Sequence, residues 1–231
     1  MDSTDRNVLV ERHGARADVI LNRPERKNSV TSELAVELRD ALLTLGADET
    51  VGAILLRGNG GFFCSGIDVK AAGDGTRPSR IDAWPDVQAA ILVSRAPVVL
   101  ALEKYAINAG AALVLGAHIT VMGESAFLQV GERAIGVAAP ACQAWLHLRH
   151  SRAVADRLTL MADRVGAADC LRMNIVSEVV ADDDVVLRAE GIADAIAAHP
   201  QSGRIGTDAV WDRLRERIDD PVAWFRDKYG W

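Results

Sequence analysis

Apolar and polar positions alternate in short runs at the start of the chain and then switch to helical spacing. Val8-Leu9-Val10-Glu11-Arg12 and Ala17-Asp18-Val19-Ile20-Leu21 are β-rich runs separated by His13-Gly14-Ala15-Arg16, a pattern that predicts a hairpin. The polar, proline-bearing stretch Asn22 to Asn28 reads as a loop. Leu34, Leu38, Ala41, Leu42 and Leu45 then recur at helical spacing, so a helix is predicted from Thr31 or Ser32, with a hydroxyl cap, Glu33 in its first turn and Gly46 as its stop. Ala53-Ile54-Leu55-Leu56 predicts a strand, followed by the turn-rich Gly58-Asn59-Gly60-Gly61. Residues 71–86 are rich in Gly, Asp, Arg, Pro and Ser and read as a mobile loop or lid. A helix from about Val87 to Ser94 leads to a buried strand over Pro97 to Leu102; Asn108 to Ala112 opens a helix of small residues, and Ile119 to Met122 is a further strand. Beyond Pro140 the pattern is mainly helical, interrupted by a short strand at Val176 to Val180. The segments Val185 to Ala198, Asp208 to Ile218 and Val222 to Tyr229 are amphipathic, and their Trp211, Trp224 and Phe225, with Trp231 beyond, suit packing on the parent domain or a subunit contact. The expected architecture is an α/β or α+β core over residues 1–185 with a helical segment over 186–231.

Composition narrows the function. The chain has 231 residues, 49% of them hydrophobic and 25% charged, as in an ordinary globular protein. Its formal charge of −6 leaves no excess of Lys and Arg to displace counterions, which argues against a general nucleic-acid binder. The basic residues are scattered, with no block suited to an anionic membrane. Cys64, Cys142 and Cys170 are too far apart for a disulfide framework or a metal knuckle and read as small buried thiols in a reducing compartment. The polar N-terminal residues lack the apolar core of a secretory signal, and no uncharged apolar run nears membrane-spanning length, so a soluble cytoplasmic protein is expected.

The candidate chemistry centres on Phe62-Phe63-Cys64-Ser65-Gly66-Ile67-Asp68-Val69-Lys70. A strand that ends in small residues and opens a helix leaves backbone N–H groups unpaired and facing a cleft, which suits an anion or an enolate oxygen. Ser65-Gly66-Ile67-Asp68 alone also fits a connection with no chemistry; a second matching segment changes the balance. Cys64 and Cys142 read as packed residues rather than nucleophiles, and His118 as a structural partner. His147 and His150 lie three apart but lack the further ligands a metal needs, so no metal site is expected.

Taken in order, several segments resemble the crotonase superfamily of enoyl-CoA hydratases and isomerases. Leu21-Asn22-Arg23-Pro24-Glu25-Arg26-Lys27-Asn28-Ser29 is similar to its strand-exit motif, Gly58 through Lys70 to its first oxyanion segment, and Pro97 through Leu113 to its second. Phe127 through Gly136 is similar to its catalytic loop, and Ala153 through Val180 to its closing section. The resemblance implies a spiral of ββα units with a C-terminal helical region used in trimer assembly, and a homotrimer or dimer of trimers. It implies an acyl-coenzyme A substrate, with coenzyme A as part of the substrate and no separate cofactor. It places two thioester-binding N–H groups at Ile67 and Ala109, and substrate contacts at Lys27, Ser29, Ser65, Asp68 and Lys70. Lys27 and Lys70 would meet the nucleotide end, and Asp68 reads as a cap of the oxyanion helix rather than a catalyst.

Three departures qualify the implied mechanism. Hydratases of that family use two glutamates. The position of the first is Ala112 here, and a methyl group neither accepts nor donates a proton. The second matches Glu132 once a residue is inserted after Gln129, where Val130-Gly131 replaces a proline-bearing stretch. Asn108-Ala109 also stands where the family often has a glycine pair. One retained glutamate is what the family's Δ3,Δ2-enoyl-CoA isomerases use, so double-bond isomerisation with Glu132 as the base is favoured. A hydratase with an unusual water-positioning residue such as Glu103, and a catalytically silent acyl-CoA binder, are the alternatives.

Overall fold

The computed structural model describes residues 6–68, 81–216 and 218–228. Strands β1 (Val8–His13) and β2 (Arg16–Leu21) form the expected hairpin, closed at Gly14 with φ of +63°. Helix α1 (Ser32–Ala47) begins where the hydroxyl signal put it: Thr31 Oγ1 accepts the Leu34 N–H at 3.2 Å. It runs one residue past its predicted stop. Gly46 lies inside the last turn, where a Cβ would come 2.8 Å from Ser94 Oγ, so close packing rather than a left-handed cap accounts for that glycine.

The chain continues through β3 (Ala53–Gly58), α2 (Trp84–Val93), β4 (Val98–Leu102), β5 (Tyr105–Ile107), α3 (Ala109–Gly116), β6 (Ile119–Gly123) and β7 (Phe127–Gln129). Then come α4 (Pro140–Arg149), α5 (Arg152–Met161), β8 (Val165–Gly166), α6 (Ala167–Arg172), β9 (Glu178–Val180), α7 (Val185–Ala197), α8 (Pro200–Arg215) and α9 (Pro221–Lys228). Most of the stretch read as a lid, its residues 71–80, lies outside the described residues. Its end does not stay a loop, because α2 already starts at Trp84, a buried tryptophan followed by a proline in the first turn.

The large sheet has the order β1-β2-β3-β4-β6-β9, parallel from β2 onward; the small one has the order β5-β7-β8. In successive ββα units the first strand (β4, then β6) joins the large sheet and the second (β5, then β7) joins the small one. This is the spiral the resemblance implies. The buried β3 and β4 read as near-continuous apolar runs, broken in β3 by the half-buried Arg57, because both faces of their sheet are covered. One face packs on α1, α2, α3 and α4. The other meets α7, whose Val185, Ala189, Ala193 and Ala197 recur every fourth residue and settle on Leu55, Val99, Ala101 and Val121.

The C-terminal helices fold back on their own chain. Arg204 donates to the carbonyls of Gly46, Asp48 and Val51 at 3.3, 2.7 and 3.1 Å, and Arg215 donates to those of Leu92 and Ser94 at 3.0 and 2.8 Å, satisfying carbonyls at the ends of α1 and α2. Trp211 stacks on His118 with ring centroids 4.0 Å apart, and the fully buried Phe225 lies 5.2 Å from Trp145. None of the helices, among the described residues, is long and apolar enough to cross a membrane.

Candidate active site

After β3 the chain turns and threads Cys64–Asp68 between two neighbours. On one side Cys64 N–H donates to Tyr105 O at 3.3 Å and Ile107 N–H to Cys64 O at 3.1 Å, a parallel bridge of Cys64 with Ala106. On the other, Ser65 N–H donates to Lys27 O at 3.1 Å, Val30 N–H to Gly66 O at 2.8 Å and Asp68 N–H to Val30 O at 2.9 Å. Successive N–H groups of an extended segment face opposite ways, so the Ile67 N–H is turned away from Val30. Three residues on from the Cys64–Ala106 bridge, the two paths reach Ile67 and Ala109. Ala109 is the first residue of α3, where the N–H has no intrahelical partner. Among the described residues, neither of these two amides donates to a protein acceptor. The segments touch closely. Gly66 has φ of +98°, and a Cβ on Gly110 would sit 2.7 Å from Cys64 O.

Glu132 opens a short 3-10 turn, Glu132–Ile135, directly after β7 and the Val130-Gly131 step. Asn108 ties this loop to the head of α3: its N–H donates to Gln129 O at 2.8 Å, and its side-chain Oδ1 accepts the Gly131 N–H at 2.8 Å. Among the described residues, Oε2 of Glu132 is buried without a hydrogen-bond partner. Burial disfavours the charged form and pushes this carboxyl up to about 7. That value suits a group that must take and return a proton near neutral pH. Ala112, one turn into α3, is fully buried and offers only its methyl group.

The residues expected to meet substrate separate into two sets. Lys27 is exposed with φ of +53°, and Ser65 is half-buried, its N–H held by the Lys27 carbonyl at 3.1 Å. Ser29 and Asp68, by contrast, are buried and direct their polar atoms into the protein. Ser29 Oγ donates to Asp68 Oδ2 at 3.1 Å, and Asp68 accepts from Arg23 at 3.2 Å and Arg26 at 3.4 Å. Asp68 thus joins the strand-exit loop to the amide-bearing segment. The helix it was expected to cap, and Lys70, lie outside the described residues. Asn28, also at φ of +53°, adds a second tie, its Nδ2 donating to Asn59 O at 2.9 Å and Phe62 O at 2.7 Å. Arg23, Arg26, Asn28 and Asn108 had no assigned role in the sequence; a polar residue standing where glycine is usual was the available signal for Asn108.

The remaining reactive side chains lie quiet. Burial raises the Cys64 thiol to about 12, and raises the Cys142 thiol well above its ordinary range with the Glu132 charge adding to it. His118 accepts the Val98 N–H at Nδ1 (3.1 Å), and burial, aided by Arg149 and Arg215, lowers it to about 3. Glu103 has its carboxyl raised by burial, against the opposing pull of Arg57 and Lys104, and its Oε1 lies 4.0 Å from where a Cβ on Gly61 would be.

The family model for enoyl-CoA hydratase/isomerase matches residues 11–219, nearly the whole chain. The chain belongs to the enoyl-CoA hydratase/isomerase family. It is therefore an acyl-CoA enzyme of that family. It is 31% identical over 224 residues to the enoyl-CoA hydratase EchA19 of Mycobacterium tuberculosis, covering 91% of this chain and 80% of that one. Its fold superposes on a crystal structure of an enoyl-CoA hydratase/isomerase from Pseudoalteromonas atlantica with a TM-score of 0.85 at 24% identity, covering 97% and 90% of the two chains. A crystal structure of a monofunctional enoyl-CoA isomerase from M. smegmatis matches with a TM-score of 0.75 at 26% identity, covering 93% and 95%.

Proposed function

We propose that this enzyme moves a double bond in an enoyl-CoA by way of a thioester enolate. The N–H groups of Ile67 and Ala109 hold the thioester oxygen as charge gathers on it, and Glu132 takes a proton from the α-carbon and returns it to the γ-carbon. Fixed backbone dipoles suit this task because they need no reorganisation when the charge appears. The observation that carries the reading is Glu132 itself, a carboxyl with a buried oxygen that has no partner among the described residues and an affinity for protons near neutrality, beside a helix that supplies only Ala112 where a second carboxylate would stand. One group that both removes and delivers a proton matches isomerisation; hydration needs a second group to hold water.

The hydratase alternative draws support from the names of relatives such as EchA19. It would require a water-holding residue, and Glu103 is the carboxylate offered by the sequence; its position beside Arg57 and Gly61 gives it little support. Lys27, exposed on the strand-exit loop, is proposed as a contact for the nucleotide end of coenzyme A. The homotrimer or dimer of trimers and the cytoplasmic setting belong to the same proposal. Incubating the protein with a 3-enoyl-CoA is expected to raise the ultraviolet absorbance of a conjugated 2-enoyl thioester. Loss of that absorbance from a supplied 2-enoyl-CoA, with uptake of water and no formation from the 3-enoyl isomer, would replace isomerase with hydratase. Tight acyl-CoA binding with neither change would identify a silent binder.

A further inference from the structure

Asn108 holds an unusual conformation and makes an unusual number of contacts. Its φ of +51° and ψ of −106° lie where glycine is at ease and a residue with a Cβ is strained. Such a residue persists when its surroundings over-determine it, and here they do. Its N–H donates to Gln129 O at 2.8 Å, its Oδ1 accepts from Gly131 N–H at 2.8 Å, and its carbonyl accepts the Ala112 N–H at 3.0 Å and the Cys142 thiol at 3.4 Å. A Cβ on Gly131 would lie 3.2 Å from that same Oδ1, and one on Gly66 would lie 3.5 Å from Asn108 Cβ. One residue therefore binds the head of α3 through its carbonyl and the step before Glu132 through its side chain, close beside the segment carrying Ile67.

Glycine at position 108 would relax the backbone but leave the Gly131 N–H without its side-chain acceptor. Only Val130 and Gly131 separate the end of β7 at Gln129 from Glu132, so a bond to Gly131 acts directly before the carboxylate. The geometry points to Asn108 as a positioning residue: its carboxamide locks the loop that opens on Glu132 onto the head of α3, so that the Glu132 carboxylate and the Ala109 amide are held as one unit. The inference rests on the reading of Glu132 as the proton carrier, but its test can be read without any substrate.

The test compares Asn108→Gly and Asn108→Asp with the parent protein. In Asn108→Gly the Gly131 amide is expected to exchange with solvent at least about tenfold faster, since its acceptor is gone. The Glu132 carboxyl, followed by carbon-13 NMR, is expected to titrate lower, toward the ordinary carboxylate range, as the freed loop admits water. With the enoyl-CoA substrate, kcat is expected to fall by roughly 10- to 100-fold with KM little changed, because a displacement of about 1 Å is enough for such a loss. Asn108→Asp keeps an acceptor oxygen and is expected to restore the protection of Gly131. A melting temperature of Asn108→Gly at or above the parent value would separate these effects from unfolding. Unchanged Gly131 exchange and unchanged Glu132 titration in Asn108→Gly would overturn the inference, whatever happens to turnover. Absence of double-bond migration in the parent protein would instead overturn the isomerase reading and leave the exchange and titration results standing.

Discussion

Glu132→Gln is expected to abolish double-bond migration while making the protein more stable at alkaline pH. The first effect follows from the loss of the only group assigned to carry the proton; a positioned acid–base residue contributes about 10²- to 10⁴-fold to rate. Acyl-CoA binding should survive, since the amides of Ile67 and Ala109 and the loop around Lys27 are untouched. The second effect follows from the raised proton affinity. Glu132 is held near 7 in the fold, against 4.5 as the ordinary value, so between these limits the folded chain binds more protons than the unfolded one. Stability therefore falls as pH rises through that window and levels off above it. Glutamine has no charge to bury. The variant's advantage should be small at pH 4 and largest above pH 7, with a ceiling of about 3 kcal/mol from about 1.4 kcal/mol per pH unit. Denaturant unfolding at the two pH values measures it, and a variant that is less stable at pH 8 than at pH 4 relative to the parent would contradict the burial of this carboxyl.

Gly110→Ala is expected to disable the enzyme without touching a reacting group. The new Cβ would lie 2.7 Å from Cys64 O and 2.9 Å from Cys64 Cβ, inside the distance that real contacts allow. Neither obstacle is the free end of a flexible side chain. The head of α3 and the Cys64–Ile67 segment must move apart, and these are the pieces that carry the two amides. An amide lost from an oxyanion site costs roughly 2.7 to 4 kcal/mol of transition-state stabilisation, about 10²- to 10³-fold in kcat. Overpacking also lowers stability by about 1 to 3 kcal/mol. Kinetics run well below the variant's melting temperature separate the two losses. Parent-like kcat in a folded Gly110→Ala protein would mean that the closeness of these segments does not matter for turnover.

Local signals carried much of this architecture. The leucines of α1 and its Thr31 cap, the hairpin around Gly14 and the apolar runs of β3 and β4 each depend on neighbours a few residues away, and each was legible. The three-residue strands β5 and β7 and the two-residue β8 are too short to show a period, and they form only because partners distant in sequence align them. Helix α8 starts at Pro200, eight residues before its amphipathic pattern, and its polar first turns include Arg204, which is bound to three carbonyls at the end of α1. The site divides in the same way. Ile67, Ala109 and Glu132 are candidates that motif alone suggests, whereas the network of Asp68 with Arg23, Arg26 and Ser29 spans about forty residues and has no local trace. Asn108 is the sharpest case, since neither its positive φ nor its bond to Gly131 can be read from composition or spacing.

Solvent exchange at the α-carbon reaches the enolate most directly, because it needs neither a double bond nor added water. A saturated acyl-CoA incubated with the protein in deuterium oxide and followed by proton NMR is expected to lose its α-proton signal, and Glu132→Gln is expected to leave that signal intact. A bound thioester whose α-protons stay in place with the parent protein, or exchange equally fast with Glu132→Gln, would contradict an enolate formed by Glu132 beneath the Ile67 and Ala109 amides.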